Sequence, residues 1–500
     1  MLAALTPPIL MGLALLIPLI GTVLILMSDG KPNQRETVTL LTAIALFAVV
    51  VLLVPGVYHG GRPVLTLFQI VPGIEVSFQM EPLGMMFACI ASGLWIVNSI
   101  YSIGYMRAKK EGHQTRFYAC FAVAIFGAVG VAMSGNMLTL FIFYEVLTLS
   151  TYPLVAHHGD EESIRSGRVY LGILLTTSIV FLLGAVIWTF VAAGTLDFKP
   201  GGILAGKLHG PAIGLMLFLY MYGIGKAALM PVHRWLPAAM VAPTPVSALL
   251  HAVAVVKAGV FTVLKVIIYL FGADFLRKSG YADWLMYIAA ASLLLASCIA
   301  LTKDNLKARL AYSTVSQLAY CVLGGALFVP MGIIGGAMHI AMHAMGKITL
   351  FFCAGAIYVA TGKTEISEMR GIGRTMPITL AAFLLGSLSV IGVPPFGGVW
   401  SKYYLMLGAV DRGQLIFAGV LMISSLLNIA YLLPVVARGF FSPPDGDGGG
   451  EGSVGAGKVT GIREAPIFCL VPLCLTALGC VLLFFFADSL FQLLQPIAPG

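Results

Sequence analysis

Apolar residues run through this chain in long unbroken blocks, and polar residues are confined to short stretches between them. A membrane-spanning helix needs about 20 consecutive, mostly apolar residues. The chain offers about fourteen such runs, near 8–28, 37–57, 82–104, 117–134, 136–156, 168–194, 211–231, 245–271, 283–302, 308–328, 331–360, 376–399, 413–437 and 466–492. Two of them, 211–231 and 376–399, are interrupted by Gly and Pro. The pattern predicts an all-α integral membrane protein, one polytopic domain over residues 1–500.

Composition agrees. The chain is 59% apolar and 10% charged, with a mean hydropathy of +0.97, against roughly 25% charged residues in a soluble domain. No Lys or Arg precedes the first run and no small-residue cleavage site follows it, so it reads as a retained helix and not as a removed signal peptide.

Positive charge then orients the chain. Loops after odd-numbered runs carry 18 Lys and Arg, with Arg107, Lys109, Lys110 and Arg116 the densest group, and loops after even-numbered runs carry 7. The positive-inside bias places the odd loops in the cytoplasm and both termini outside the plasma or inner membrane. The same asymmetry accounts for the net charge of +8. Nucleic acid is excluded as a partner, because no basic face lies on a soluble module.

Against this background a few ionisable residues stand out. A charge in hydrocarbon costs from about 2.5 to more than 10 kcal/mol, so it persists only with a partner, water or a task. Glu145 is the one acidic residue deep in an apolar run, and Lys226, Lys257, Lys265 and Lys347 are the cations so placed. Glu145 is expected to pair with a buried lysine on another helix. Lys226 lies beside Gly223, Gly225 and Pro231, where the helix should break. Broken membrane helices are tolerated where they line protein or a water-filled cavity, which gives a lysine there a place to gain and lose its proton. Pro243 and Pro245 precede a run holding His251 and Lys257, six residues or about 9 Å apart along a helix, the spacing of two relay stations. Lys265 is expected to snorkel toward the outer end.

His339, His343 and Lys347 recur at i, i+4 and i+8, on one helical face. No Asp, Glu or Cys is placed to complete a metal site with the two histidines, and no opposing axial ligand for haem can be identified. A proton relay suits histidine's pKa, and a hydrogen-bonded structural role is the alternative. Lys402 follows a second interruption containing Gly392, Pro394, Pro395, Gly397 and Gly398. Paired broken segments in corresponding positions point to an inverted-repeat transporter. With breaks in runs 7 and 12, the units are 117–271 and 283–437, five helices each.

Two features carry no site. The eight cysteines fall in or beside apolar runs without metal-like spacing and read as packing residues. Gly452 to Val459 (GSVGAGKV) imitates a phosphate-binding loop, but Val459 stands where a hydroxyl must reach magnesium. The Gly-rich stretch around it makes 441–464 a flexible cytoplasmic linker. No cofactor is implied.

The blocks 233–261 (HRWLPAAMVAPTPVSALLHAVAVVKAGVF), 306–320 (LKARLAYSTVSQLAY), 343–357 (HAMGKITLFFCAGAI) and 392–405 (GVPPFGGVWSKYYL) resemble the signature of a known family. It is that of the proton-translocating, antiporter-like subunits shared by respiratory complex I and Mrp-type sodium/proton antiporters. The resemblance covers roughly residues 80–440. It implies fourteen spans, termini outside, two inverted five-helix repeats and breaks in helices 7 and 12. It matches Glu145 to the family's fifth-span glutamate, Lys226 to its lysine partner, and Lys257 to the central lysine. His339, His343 and Lys347 match the eleventh-span relay, and Lys402 matches the twelfth-span terminal group. Ala238 and Ala239 depart from the acidic or histidine residues of many members. With Glu145 the one deeply placed carboxylate and no cofactor motif, this chain is expected to carry protons, with sodium handling and energy input lying wholly or partly on partner membrane subunits. A D-type Mrp subunit fits the length and Lys402 best, and a complex I or membrane-hydrogenase subunit is the alternative. A stand-alone solute carrier would need polar groups at the breaks, which offer mainly Gly, Pro and apolar residues. A haem or quinone redox enzyme is the remaining class.

Overall fold

The computed structural model describes residues 6–443 and 461–498. Most of the 441–464 stretch, with the phosphate-loop look-alike, lies outside the described residues. The chain is mostly helical, and among the described residues eleven helices are long and apolar enough to cross a membrane. They include α1 (Pro7–Met27), α2 (Pro32–Tyr58), α3 (Pro82–Ala108), α4 (Gln114–Met133) and α5 (Met137–Val155). Next come α6 (Glu161–Ala193), the shorter α7 (Pro211–Gly223), α8 (Thr244–Phe271) and α9 (Trp284–Thr302). The chain continues with α10 (Leu306–Ala326), α11 (Pro330–Thr361), α12 (Pro377–Ile391) and α13 (Gly398–Asp411), then α14 (Leu415–Phe441), α15 (Ile467–Phe485) and α16 (Ala487–Leu494).

Helix starts follow local chemistry. Pro opens α2, α3, α7, α11 and α12, where a missing N–H costs no helical hydrogen bond. The side chains of Asn136, Asp160 and Asn305 cap α5, α6 and α10 by accepting from the backbone N–H three residues on. The core lies along α8 and α11, whose most apolar windows are 100% and 94% buried, whereas those of α1, α2 and α15 face outward over most of their surface.

The all-α expectation needs one correction. Val64–Val71 (β1) and Ile74–Gln79 (β2) form an antiparallel hairpin around Pro72 and Gly73, the latter at φ +85°. Alternating β-branched and aromatic residues about a Pro-Gly turn favour this form. The hairpin is tied to the helices: Gly135 N–H donates to the Ser77 carbonyl at 2.9 Å, and Asn136 Nδ2 donates to the Glu75 carbonyl at 2.7 Å.

Two interruptions place functional groups. Helix α7 ends at Gly223, and a single turn, Gly225–Ala227, is followed by short helical turns at Val232–Arg234, Trp235–Ala238 and Ala239–Val241 before α8 begins at Thr244. The freed backbone groups find partners, as they must away from water. Trp235 Nε1 donates to the Gly225 carbonyl, Lys226 N–H donates to Tyr144 Oη, and Met230 N–H donates to Ser292 Oγ. A Cβ on Gly259 would lie 2.3 Å from the Lys226 carbonyl carbon, so glycine there lets the broken segment press onto α8. Helix α12 ends at Ile391, and α13 restarts at Gly398, against which the Ser389 carbonyl packs. Helix α8 is itself interrupted at Ala254 (φ −125°, ψ −64°), between His251 and Lys257.

Candidate functional site

Lys226, on the turn after α7, is fully buried and is held by neutral oxygens of α5. Its Nζ donates to the Tyr144 carbonyl at 2.8 Å and to Thr148 Oγ1 at 2.5 Å, and lies 3.1 Å from the centre of the Tyr144 ring. The expected direct ion pair with Glu145 is absent. Glu145 is half-buried, and neither carboxylate oxygen has a hydrogen-bond partner among the described residues. Consecutive residues on a helix point about 100° apart, so the oxygens that hold Lys226 come from Glu145's neighbours on the helix.

Two further expectations are corrected. Lys265 does not snorkel: it is 1% exposed and pairs with Glu81 at 2.8 Å. Its Nζ also donates to the Ser134 carbonyl at 3.3 Å and lies 4.2 Å from the Phe198 ring centre. Glu145 is therefore not the one deeply placed acid. Glu81 is 6% exposed, and Glu36, at 4%, pairs with Arg107. Both acids lie at helix starts, which hides them among loop residues in the sequence.

The interruption of α8 separates His251 from Lys257. His251 is fully buried against the Phe351 ring, and neither of its nitrogens has a partner among the described residues. Lys257, also fully buried, reaches across to α11, where its Nζ lies 2.5 Å from His343 Nδ1. The His343 ring stacks on that of His339, with centroids 6.1 Å apart and planes at 13°. The continuous helix α11 thus presents the i, i+4 pair as one stacked column.

From His339 two arms extend. Nδ1 lies 2.9 Å from Ser401 Oγ, beside Lys402, and Nε2 lies 3.0 Å from Gln317 Oε1. Lys402 Nζ donates to the Ile391 carbonyl freed at the α12 break (2.8 Å) and to Ser425 Oγ (3.1 Å), and lies 4.8 Å from the Tyr320 ring centre. Lys347 donates to the Leu310 carbonyl at 3.2 Å and to Ser313 Oγ at 2.7 Å. Ser313 Oγ lies 2.9 Å from Tyr431 Oη, which donates to Asn428 Oδ1, and Gln317 Nε2 donates to the same oxygen. Ser313, Gln317, Asn428 and Tyr431 thus join Lys347 to His339 through neutral groups. Sequence reading misses all four, since uncharged polar residues in apolar runs give no distinguishing signal.

Pro231 lies beyond the α7 break, Pro243 and Pro245 open α8, and Pro394 and Pro395 fill the gap between α12 and α13. Beyond the spans, Glu111 and His158 pair at 3.4 Å on the rim of a cavity of about 210 Å³ whose lining includes Thr244, Lys307 and Tyr358. The hydrogen bond to His158 holds the Glu111 carboxyl below its ordinary pKa, and that to Glu111 raises His158. Burial lowers the adjacent His157 to about 4. Lys307 donates to the Ala242 carbonyl at 2.5 Å, one helical turn before the carbonyl that holds Lys347.

A helical membrane protein with a file of buried lysines and histidines through its centre is the class that fold and site define. The chain belongs to the NADH:quinone oxidoreductase/Mrp antiporter transmembrane family, whose model matches residues 134–428. That span contains every charged or histidine residue of the file, from Glu145 to Lys402. The N-type subunit of the NADH-quinone oxidoreductase of Desulforudis audaxviator is 32% identical over 422 residues, covering 84% of this chain and 83% of that one. The D-type subunit of the Na(+)/H(+) antiporter of Alkalihalophilus pseudofirmus is 26% identical over 434 residues and 86% of each chain. A protein of the Mrp complex from Dietzia sp. has the same fold, with a TM-score of 0.84 at 21% identity over 98% of this chain and 96% of that one.

Proposed function

We propose that this chain is the proton-translocating membrane subunit of a multisubunit sodium/proton antiporter, with fourteen spans and both termini outside. In this reading 117–271 and 283–437 are inverted five-helix units with breaks in helices 7 and 12, and 441–464 is a cytoplasmic linker. The observation that carries it is the Lys257–His343 contact, which bridges the helix of Lys257 and the His339–His343 column at zero to 2% exposure. A lysine within hydrogen-bond reach of an imidazole nitrogen can hand it a proton, and the imidazole can pass it on from its other nitrogen. A proton enters toward Lys226, moves through His251 and Lys257 to His343, His339 and Lys347, and leaves by Lys402. Glu145 acts as the movable charge. With its oxygens unpartnered, it can approach Lys226 and hold the proton there, or withdraw and release it.

Sodium and the energy source lie with partner subunits. Hard cations take several oxygen ligands, and the file offers one carboxylate. The test is transport by the purified chain in proteoliposomes with sodium and pH dyes. No sodium-for-proton exchange is expected until partners are restored, and robust exchange by the chain alone contradicts the reading.

A second reading, a proton-pumping subunit of a complex I-type oxidoreductase or membrane hydrogenase, is favoured by the 32% identity to the N-type oxidoreductase subunit. The subunits that copurify separate the two: small antiporter subunits for the first, flavin- and quinone-linked subunits for the second.

A further inference from the structure

Where the turns after α1 and α3 meet, a cavity of about 950 Å³ opens beside α2 and runs along α4 toward the membrane interior. Its two ends differ in chemistry. The end at the helix termini is lined by Asp29, Arg35, Thr115 and Arg116, and the inner part by Leu26, Ala119, Cys120 and Val123. From Gln114 to Val123 the lining on α4 extends over ten positions, nine rises or about 13.5 Å of helix. A polar mouth at helix ends that leads into an apolar crevice of that depth matches the headgroup and first acyl carbons of a lipid.

We propose that this crevice binds one diacyl phospholipid whose headgroup carries a phosphate and a primary ammonium. Arg35 is 6% exposed, and its Nη atoms donate to Thr115 and Gln114, but its Nε has no acceptor among the described residues. That Nε is itself enclosed and Glu36 lies 3.9 Å from Arg35, so the phosphate position rests on the exposed Arg116 beside it, which also donates to the His157 carbonyl at 2.8 Å. Glu111, also in the lining, is engaged by His158. Asp29 accepts one hydrogen bond, from Thr115, and keeps an exposed carboxylate for an ammonium. Guanidinium and carboxylate at one mouth select a zwitterion over a purely anionic headgroup. A primary ammonium donates to Asp29, and a quaternary one cannot.

The experiment is native mass spectrometry of the purified full chain, with phosphatidylethanolamine, phosphatidylcholine and phosphatidylglycerol of matched acyl chains titrated in. One phosphatidylethanolamine should be retained per chain, with the other two bound about tenfold more weakly, the effect of one charge-assisted hydrogen bond. Asp29→Asn should erase the preference over phosphatidylcholine, and Arg116→Gln should weaken all three lipids. Both residues are exposed, but Arg116 donates to the His157 carbonyl and Asp29 accepts from Thr115, so thermal unfolding of each variant is compared with wild type before lipid is titrated. Equal retention of the three lipids, or wild-type selectivity in both variants, overturns the proposal. So does a structure of the assembled complex with a partner's chain filling the crevice.

Discussion

Lys226 and Lys265 are equally buried and solve the problem of a charge in hydrocarbon in opposite ways. Lys265 contacts Glu81 at 2.8 Å, and with the Ser134 carbonyl and the Phe198 ring beside it the pair is a neutral staple. Lys226 rests on a carbonyl and a hydroxyl of α5, while the nearby acid, Glu145, is left without a partner. A contact pair fixes both charges, because neither can be lost without exposing the other. A cation on neutral oxygens is held more loosely and can be neutralised by losing its proton. The comparison separates a pair that stabilises from one that can work, although the chain places an acid near each lysine.

The largest effect should come from Lys226→Ala, which should abolish proton transport by the assembled complex in proteoliposomes with membrane insertion unchanged. At the far end of the file, Lys402→Glu should keep part of the transport, since another ionisable group then follows Ser401. Lys402→Ala should keep none. If both Lys402 variants match wild type, that residue is off the path.

Glu81→Ala should do the reverse of Lys226→Ala, costing about 3–5 kcal/mol of stability by leaving Lys265 buried and unpaired. Transport per folded molecule should persist. Adding Lys265→Met should restore most of the lost stability, read by thermal unfolding in detergent. A stable Glu81→Ala single variant with no transport would reverse the roles assigned to the two acids.

The smallest effect lies outside the spans, in adjacent histidines with opposite shifts. His158 is raised by Glu111, so its stabilising charge is fully present below its unfolded pKa of about 6.5 and is lost as pH rises through the folded value. Glu111 is lowered, so its contribution is present above its unfolded value of about 4.3 and lost as pH falls through the folded one. The pair is strongest between those limits. His157, lowered to about 4, works the other way: the unfolded chain binds more protons between about 6.5 and 4, and stability falls as pH drops through that window. Imidazole titration by NMR should find His157 neutral where His158 is charged. Identical midpoints would contradict the Glu111 contact.

The same comparison marks what the chain discloses in one dimension. Gly223, Gly225 and Pro231 announce the break beside Lys226, and i, i+4 spacing announces the His339–His343 column, because both are local rules. The Glu81–Lys265 pair joins residues 184 apart and is invisible in sequence, where Glu81 reads as a boundary residue and Lys265 as a snorkelling one. The contact expected of Glu145 goes wrong for a related reason. Sequence shows that an acid and a lysine share a depth, but the turn of α5 decides which atoms meet. The hairpin is legible in its alternation around Pro72 and Gly73, and is masked by the dominance of helical runs. The neutral bridge of Ser313, Gln317, Asn428 and Tyr431 appears only once α10 and α14 are packed together.

The central claim is that the unpaired Glu145 is a working charge and not a structural one. Its direct test is Glu145→Ala in the assembled complex, with proton uptake followed by a pH dye and stability by thermal unfolding. The account predicts transport reduced at least about tenfold, with stability changed by no more than about 1 kcal/mol, since no ion pair or hydrogen bond is lost. Wild-type transport in a correctly assembled Glu145→Ala complex would contradict it.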